Sequence, residues 1–140
     1  LSARVRPHRS TSIDASYTYQ NSDDRTPPVA GTDSLSSLRV SPHMASLLWT
    51  QMLGDRLSFT TDLSYASDYP IPIFAGTGSR TFRFDGPLKL DTVGSYRLAQ
   101  WERGSLSLYG KVENLLNRQF YESGFRNPKR WALAGLRLEF

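Results

Sequence analysis

Residues 90–113 read LDTVGSYRLAQWERGSLSLYGKVE, and this stretch decides the fold. Apolar or small side chains recur at every second position on both sides of residues 99–104. They are Leu90, Thr92, Gly94, Tyr96 and Leu98, followed by Leu106, Leu108, Gly110 and Val112. Successive side chains of a β-strand point to opposite faces of the sheet. The pattern therefore predicts two strands joined by a short turn.

The same alternation extends through the rest of the chain, where helical periodicity is hard to find. Three further sets are Ile13, Ala15, Tyr17 and Tyr19; Leu57, Phe59, Thr61, Leu63 and Tyr65; and Ala132, Ala134, Leu136, Leu138 and Phe140. A weaker strand is predicted near residues 44–51, and residues 1–6 resemble the end of another. The sequence predicts an all-β protein of about seven antiparallel strands, most near the ~9–11 residues that a tilted strand needs to cross a bilayer.

The predicted connections alternate strictly between short and long. Three are short, at residues 7–9, 53–55 and 99–104, and three are long, at residues 21–38, 68–87 and 117–130. Transmembrane barrels alternate in this way, with short periplasmic turns and longer extracellular loops. Soluble domains rarely keep unstructured loops beyond about 12–15 residues. The connections therefore favour a transmembrane barrel over a soluble sandwich.

Charged and aromatic residues are arranged consistently with this prediction. The charges of the clear strands lie between the apolar positions: Asp14, Asp62, Asp91, Lys111, Glu113, Arg137 and Glu139. Aromatic residues group toward the two ends of the apolar face, with Tyr17, Tyr19 and Tyr65 at one end and Trp49, Phe59, Tyr96 and Phe140 at the other. Two aromatic girdles are typical of membrane barrels. Aromatic enrichment of strands in general is the alternative, and a soluble sandwich also keeps charges on one face.

Bulk composition narrows the function classes. The chain has no cysteine, which excludes a disulfide framework and a thiolate metal site. Its net charge is +4, but only three of its 17 basic residues are lysines and they are scattered. A basic domain that binds nucleic acid would be expected to show clustered lysines beside stacking aromatics. We therefore expect no nucleic-acid partner.

Three motifs in the last third of the chain occur in a characteristic order. Residues 112–121 read VENLLNRQFY, residues 124–130 read GFRNPKR, and residues 133–140 read LAGLRLEF. Together they resemble the C-terminal region of TonB-dependent outer-membrane receptors, which show V-x-N-L-x-[ND]-x-x-[YF], G-[FY]-x-x-P-[GK]-R and a last strand of the G-L-x-x-x-F kind. The resemblance covers essentially the whole chain, including residues 16–19 and 39–49, and most of its weight lies in residues 112–140.

The resemblance implies a function and a set of partners. Residues 1–140 are expected to be the C-terminal portion of a 22-stranded, plugged barrel in the outer membrane of a Gram-negative bacterium, with the plug domain and TonB box absent from this chain. The family imports siderophore-iron, cobalamin or similar nutrients. Expected partners are outer-membrane lipid, the barrel assembly machinery and, through the missing N-terminal part, the TonB system. The alternative is a small autonomous outer-membrane barrel that acts as an enzyme or adhesin.

The last strand is also similar to the signal that the assembly machinery reads. Four alternate residues would form it: Ala134, Leu136, Leu138 and Phe140. Because the signal is extended, strand addition is the expected mode of recognition. An ordinary amphipathic last strand is a compatible interpretation.

Candidate ligand contacts lie in the long loops. They are Tyr69, Arg80, Arg83 and Phe84 in one loop, and Tyr121, Arg126 and Arg130 in another. A mixture of aromatic and cationic groups suits an anionic metal chelate, and loop packing with interface anchoring is the alternative.

No catalytic or metal site is predicted, and no cofactor. His43 and Ser46 are three positions apart on a strand and would face opposite ways. Asp23 and Asp24 have no third ligand at suitable spacing.

Overall fold

The computed structural model describes residues 1–21, 40–75, 78–122 and 125–140, and they form strands and turns. The strands are β1 (Ser2–His8), β2 (Thr11–Tyr19), β3 (His43–Leu53), β4 (Leu57–Ala66), β5 (Tyr69–Ala75), β6 (Gly78–Phe84), β7 (Leu88–Trp101), β8 (Gly104–Glu113), β9 (Tyr121–Glu122), β10 (Phe125–Arg126) and β11 (Trp131–Glu139). Within these ranges there is no helix of the length and apolarity needed to span a membrane.

Seven strands form one sheet in the order β1-β2-β3-β4-β7-β8-β11, and every neighbouring pair is antiparallel. The predicted all-β class and the predicted number of about seven antiparallel strands are confirmed. The described strands do not close into a barrel, because β1 and β11 each pair on one side only. Two hairpins, β5–β6 and β9–β10, stand outside this sheet.

The short connections lie at one end of the sheet, which we call the short-turn end. They join His8 to Thr11, Leu53 to Leu57 and Trp101 to Gly104. Gly54 has φ of 60° in the second turn, a backbone conformation that glycine adopts without steric cost. The third turn is tighter than predicted, because β7 continues to Trp101 through an irregularity between Arg97 and Ala99.

The longer connections lie at the opposite, long-loop end. The first, predicted at residues 21–38, falls almost entirely outside the described residues. The second differs from the predicted loop, because residues 69–75 and 78–84 pair as the β5–β6 hairpin. Pro70 and Pro72 lack the backbone N–H of a regular strand, which hid this hairpin in the sequence. Glycine is required at Gly86, where a Cβ would lie 2.1 Å from the Ala66 carbonyl oxygen.

The register places the alternating apolar sets on one side of the sheet, except for Leu98, which falls in the irregularity between Arg97 and Ala99. A single cross-strand row, for example, runs through Ile13, Trp49, Thr61, Thr92, Val112 and Ala132. We call this side the apolar face, and β1 adds Ala3 and Val5 to it. Apart from the irregular stretch after Val5, no Asp, Glu, Lys or Arg of the seven described strands lies on it. The opposite side, the polar face, carries the charges.

Among the described residues, no second layer covers either face of the sheet. In the part of the chain that the structure describes, the buried apolar side chains are Tyr69, Ile71 and Phe120. All three lie in the connections at the long-loop end. Globular domains normally bury a sheet face against another layer. Here the compact packing is at the loops, and the sheet faces remain open.

Candidate functional site

The amide side chain of Asn114 organises the segment from Asn114 to Arg130, which we call the asparagine segment. This residue is only 2% exposed and has φ of 51°, a conformation that asparagine tolerates better than most residues. Its Nδ2 donates to the carbonyl oxygens of Arg118 and Pro128 at 2.8 and 3.0 Å. Its Oδ1 accepts from the Arg118 backbone N–H at 3.1 Å. One side chain therefore ties together both ends of the segment.

Two further asparagines complete this arrangement. Asn117 Oδ1 accepts from the Arg130 N–H at 3.0 Å, and Asn127 Oδ1 accepts from the Phe120 N–H at 2.7 Å. Phe120 is thereby held in a buried position. These asparagines belong to the motifs of residues 112–130, which the sequence identified without giving the residues a role. For Asn114 and Asn117 the signal was the tolerance of asparagine for positive φ, which both residues adopt.

The asparagine segment is joined to an ion-pair network on the polar face. The Asn114 backbone N–H donates to Asp91 Oδ1 at 2.8 Å. Lys89 Nζ lies 2.7 Å from Asp91 Oδ2 and 3.9 Å from Glu113 Oε2, and Lys111 also pairs with Glu113. Trp131 Nε1 donates to Glu113 at 3.0 Å. The network therefore connects β7, β8 and β11 beneath the loops.

Three rings connect the two described loops at the long-loop end. The Tyr69 hydroxyl donates to the Tyr121 carbonyl oxygen at 2.5 Å. The Phe84 ring centroid lies 6.4 Å from that of Tyr69 and 5.5 Å from that of Tyr121. We call this group the aromatic bridge. It fixes the β5–β6 hairpin against residues 114–130, so the two loops form one surface.

The predicted ligand contacts occupy different environments within this surface. Tyr69 is 8% exposed and is part of the aromatic bridge, so its ring serves packing. Arg83 is exposed and lies 3.8 Å from Asp68. Arg126 and Arg130 are exposed, whereas the side chain of Arg80 falls outside the described residues. The structure brings the rings of the three aromatic candidates together. Of the described arginines, Arg126 stands opposite Tyr121 in the β9–β10 hairpin, and Arg83 pairs with Asp68.

A cleft of about 400 Å³ lies beside the aromatic bridge. Its lining residues are Tyr65, Ala66, Asp68, Asp85, Gly86, Leu88, Arg118, Gln119 and Phe120. Sequence analysis did not predict this cleft, because its walls come from β4, from the chain up to the start of β7 and from residues 118–120. Two acids and one arginine make its lining polar, and the buried Phe120 is among its apolar residues.

The predicted assembly-signal residues line the outer edge of the sheet. Ala134, Leu136 and Leu138 pair with β8 on the apolar face, and no described strand pairs with the other side of β11. Leu136 and Leu138 are exposed, and Phe140 is 93% exposed.

The two residues considered for catalysis do not meet. His43 lies on the apolar face, where its Nδ1 is 2.7 Å from the Tyr17 hydroxyl. Ser46 lies on the polar face, where its hydroxyl is 2.7 Å from that of Ser16. The described ranges contain no group of three acids, histidines or cysteines placed to hold a metal ion; Asp23 and Asp24 fall outside them.

Comparison with known proteins found no relative that could indicate a role for these features. No protein-family model matches the chain, and neither a curated protein nor a solved structure matches it.

Proposed function

We propose that this chain is a membrane-spanning part of an outer-membrane nutrient receptor of the TonB-dependent kind. The observation that carries the proposal is the apolar face. Seven antiparallel strands contribute to it, their regular parts place no charge on it, and none of the described residues covers it. Soluble monomers rarely expose a contiguous apolar surface of this extent. Lipid can contact such a face when hydrogen bonds between neighbouring strands satisfy the backbone N–H and C=O groups.

The ends of the apolar face support the same proposal. Tyr17 and Tyr65 lie in one cross-strand row near the long-loop end, on either side of Ala45. Toward the short-turn end, Trp49 and Phe59 pack edge to face with ring centroids 4.9 Å apart. In our proposal these groups are the aromatic girdles at the two membrane interfaces.

The strand count bears on the second candidate function, a small autonomous barrel. Neighbouring strands alternate in direction, so β1 and β11, the first and seventh strands of the sheet, run the same way. A fully antiparallel barrel has an even number of strands. The described strands therefore cannot close antiparallel by joining β1 to β11. In our proposal an odd number of further receptor strands completes the barrel, and a small barrel made of the seven described strands alone is disfavoured.

The long-loop end is, in this proposal, the extracellular ligand surface. Phe125 is 80% exposed and Tyr121 is exposed, and both lie in the loop that carries Arg126 and Arg130. Exposed rings and guanidinium groups suit an anionic metal chelate. The aromatic bridge would hold the two loops in place around it.

Cysteine labelling of intact cells tests the proposed orientation. Lys129→Cys lies in the long-loop end and Arg103→Cys in a short turn, and both positions are exposed. The chain has no native cysteine. In the full-length protein, a membrane-impermeant maleimide should label Lys129→Cys on intact cells. It should label Arg103→Cys only after the outer membrane is opened. Labelling of both positions, or of Arg103→Cys alone, would contradict the proposal.

Recognition by the assembly machinery is tested by Phe140→Ser, with Phe125→Ser as the matched control. Burying a whole phenylalanine stabilises a protein by at most about 1.5–3 kcal/mol, and the Phe140 ring is almost fully exposed. Its loss should therefore change stability little. If the ring is recognised, Phe140→Ser should still lower the amount of assembled receptor severalfold, measured by heat-modifiable gel mobility. Equal amounts for both variants would rule out this role of the ring.

A further inference from the structure

The polar face becomes basic toward the short-turn end. The halves of β4, β7 and β8 that lie at this end contain no aspartate or glutamate. Arg97 lies there on β7, and its backbone N–H donates to the Arg56 carbonyl oxygen at 2.8 Å. Ser107 stands opposite Arg97 on β8, and Arg137 stands opposite Ser107 on β11. Three arginines therefore follow one cross-strand row.

The charges of these arginines are not neutralised by neighbouring side chains. Among the residues that the structure describes, none of the three forms an ion pair. Arg97 Nη1 donates to Gln100 Oε1 at 2.7 Å, and the rest of its guanidinium donors have no partner within the described ranges. Like charges on neighbouring strands repel each other. An anion placed between Arg56 and Arg97 would relieve this repulsion.

Three half-buried serines, Ser58, Ser95 and Ser107, accompany the arginines on this face. Ser58 and Ser95 stand directly opposite each other on β4 and β7. Hydroxyl groups that face each other elsewhere on the sheet form hydrogen bonds, as Ser16 and Ser46 do at 2.7 Å. In the described part of the chain, by contrast, the hydroxyls of Ser58, Ser95 and Ser107 have no such partner. Their O–H groups can therefore donate to an anion.

A small depression of about 80 Å³ brings these groups together. It is lined by Met52, Asp55, Arg56, Leu57, Ser58, Ser95, Arg97 and Ser107. A water molecule takes about 30 Å³ of the liquid, so the depression has room for about two or three waters or for one small anion. It is far smaller than the roughly 300–1,000 Å³ of a pocket for a drug-sized ligand, which excludes a metal chelate. Asp55 is the one acid in this lining, and it lies in an exposed turn, where solvent and salt screen its charge.

We propose that this depression binds a free inorganic phosphate ion, held by Arg56, Arg97 and the hydroxyls of Ser58, Ser95 and Ser107. A guanidinium group matches two phosphate oxygens with two parallel hydrogen bonds, and each serine hydroxyl can donate one more. Phosphate presents more acceptor oxygens than the two of a carboxylate, so it can use more of these donors at once. The proposal concerns the polar face alone and does not depend on what covers the apolar face.

Isothermal titration calorimetry of the purified full-length protein tests the phosphate site. Inorganic phosphate is titrated at fixed ionic strength, because salt screens the interaction, and saturable one-to-one binding is expected. Acetate at the same concentration should bind more weakly, since it offers fewer acceptor oxygens. Absence of saturable phosphate binding would overturn the proposal, and so would acetate binding of equal strength. Tighter binding of glycerol phosphate than of inorganic phosphate would overturn the assignment to the free ion.

Three variants show whether phosphate occupies the depression. Arg97→Gln should raise the Kd for phosphate roughly tenfold or more, because it removes a charge-assisted pair of hydrogen bonds. Ser95→Ala should raise the Kd severalfold without any change of charge, and it keeps the test decisive if Arg97→Gln fails to fold. Arg103→Gln removes the same charge from an exposed turn at the same end of the sheet and should leave the Kd unchanged.

The site is wrong if Ser95→Ala leaves the Kd unchanged, or if Arg103→Gln weakens binding as much as Arg97→Gln does. The second result would mean that net charge alone attracts the anion. Failure of the cysteine-labelling test would not alter either outcome, so the two proposals fail separately.

Discussion

Arginine at Leu63 is expected to destabilise the membrane-inserted protein by about 2–4 kcal/mol, the cost of a charge on the lipid face near the bilayer midplane. Leu63 lies in the middle of β4, between Leu47 on β3 and Leu90 on β7. All three side chains belong to the apolar face, so the guanidinium would have no counter-charge nearby. The change in the free energy of unfolding is measured by urea titration of the full-length protein in lipid vesicles.

Thr60→Arg is the matched control for this substitution. Thr60 lies on the same strand but on the polar face, between Thr50 and Val93. Asp62, two residues away on the same face, supplies a counter-charge. The control should therefore cost much less than Leu63→Arg. Equal losses for the two variants would mean that both faces meet the same solvent, which would contradict the proposed membrane-spanning arrangement.

Replacing Asn114 by alanine is expected to destabilise the long-loop end by about 2–5 kcal/mol, because two or more buried groups lose their partners. The carbonyl oxygens of Arg118 and Pro128 would lose their donor, and the Arg118 N–H its acceptor. Alanine is also strained at the positive φ of this position. Limited trypsin digestion measures the effect, because cleavage after Arg118 and Lys129 should become faster.

Two variants separate the causes of this loss. Asn114→Gly accepts the positive φ but lacks the amide, so it should retain most of the destabilisation if the hydrogen bonds are responsible. Gln119→Ala removes an exposed amide from the same loop and should stay within about 0.5 kcal/mol of the parent protein. Trypsin sensitivity in Asn114→Ala that equals that of Gln119→Ala would contradict the structural role of Asn114.

The candidate site was only partly predictable. Tyr69, Phe84 and Tyr121 were chosen as ligand contacts because they are aromatic residues in long loops. The structure brings their rings together, and the Tyr69 ring is buried in that contact. Sequence spacing carries no information on this pairing, since Tyr69 and Tyr121 are 52 residues apart. The role of the asparagines was likewise hidden, because it depends on carbonyl groups that only the folded segment brings within reach.

The sequence by itself determined the seven strands of the large sheet and their two faces. Period-2 alternation is a local property, because neighbouring side chains of an extended backbone point in opposite directions. The alternate sets around Ile13, Leu63 and Leu108 could therefore be assigned before any pairing was known, and the register confirms that they share one face.

Only the tertiary structure decided which residues stand opposite one another. Register fixes the position of Asp62 between Leu48 and Asp91. Through-space contact fixes the β5–β6 hairpin against the asparagine segment. The register and the hairpin contact both depend on groups that are distant in sequence. These groups interact only once the chain has folded. The alternation within a strand is unchanged when its register shifts by two residues. The pattern of single strands therefore could not predict which residues stand opposite one another.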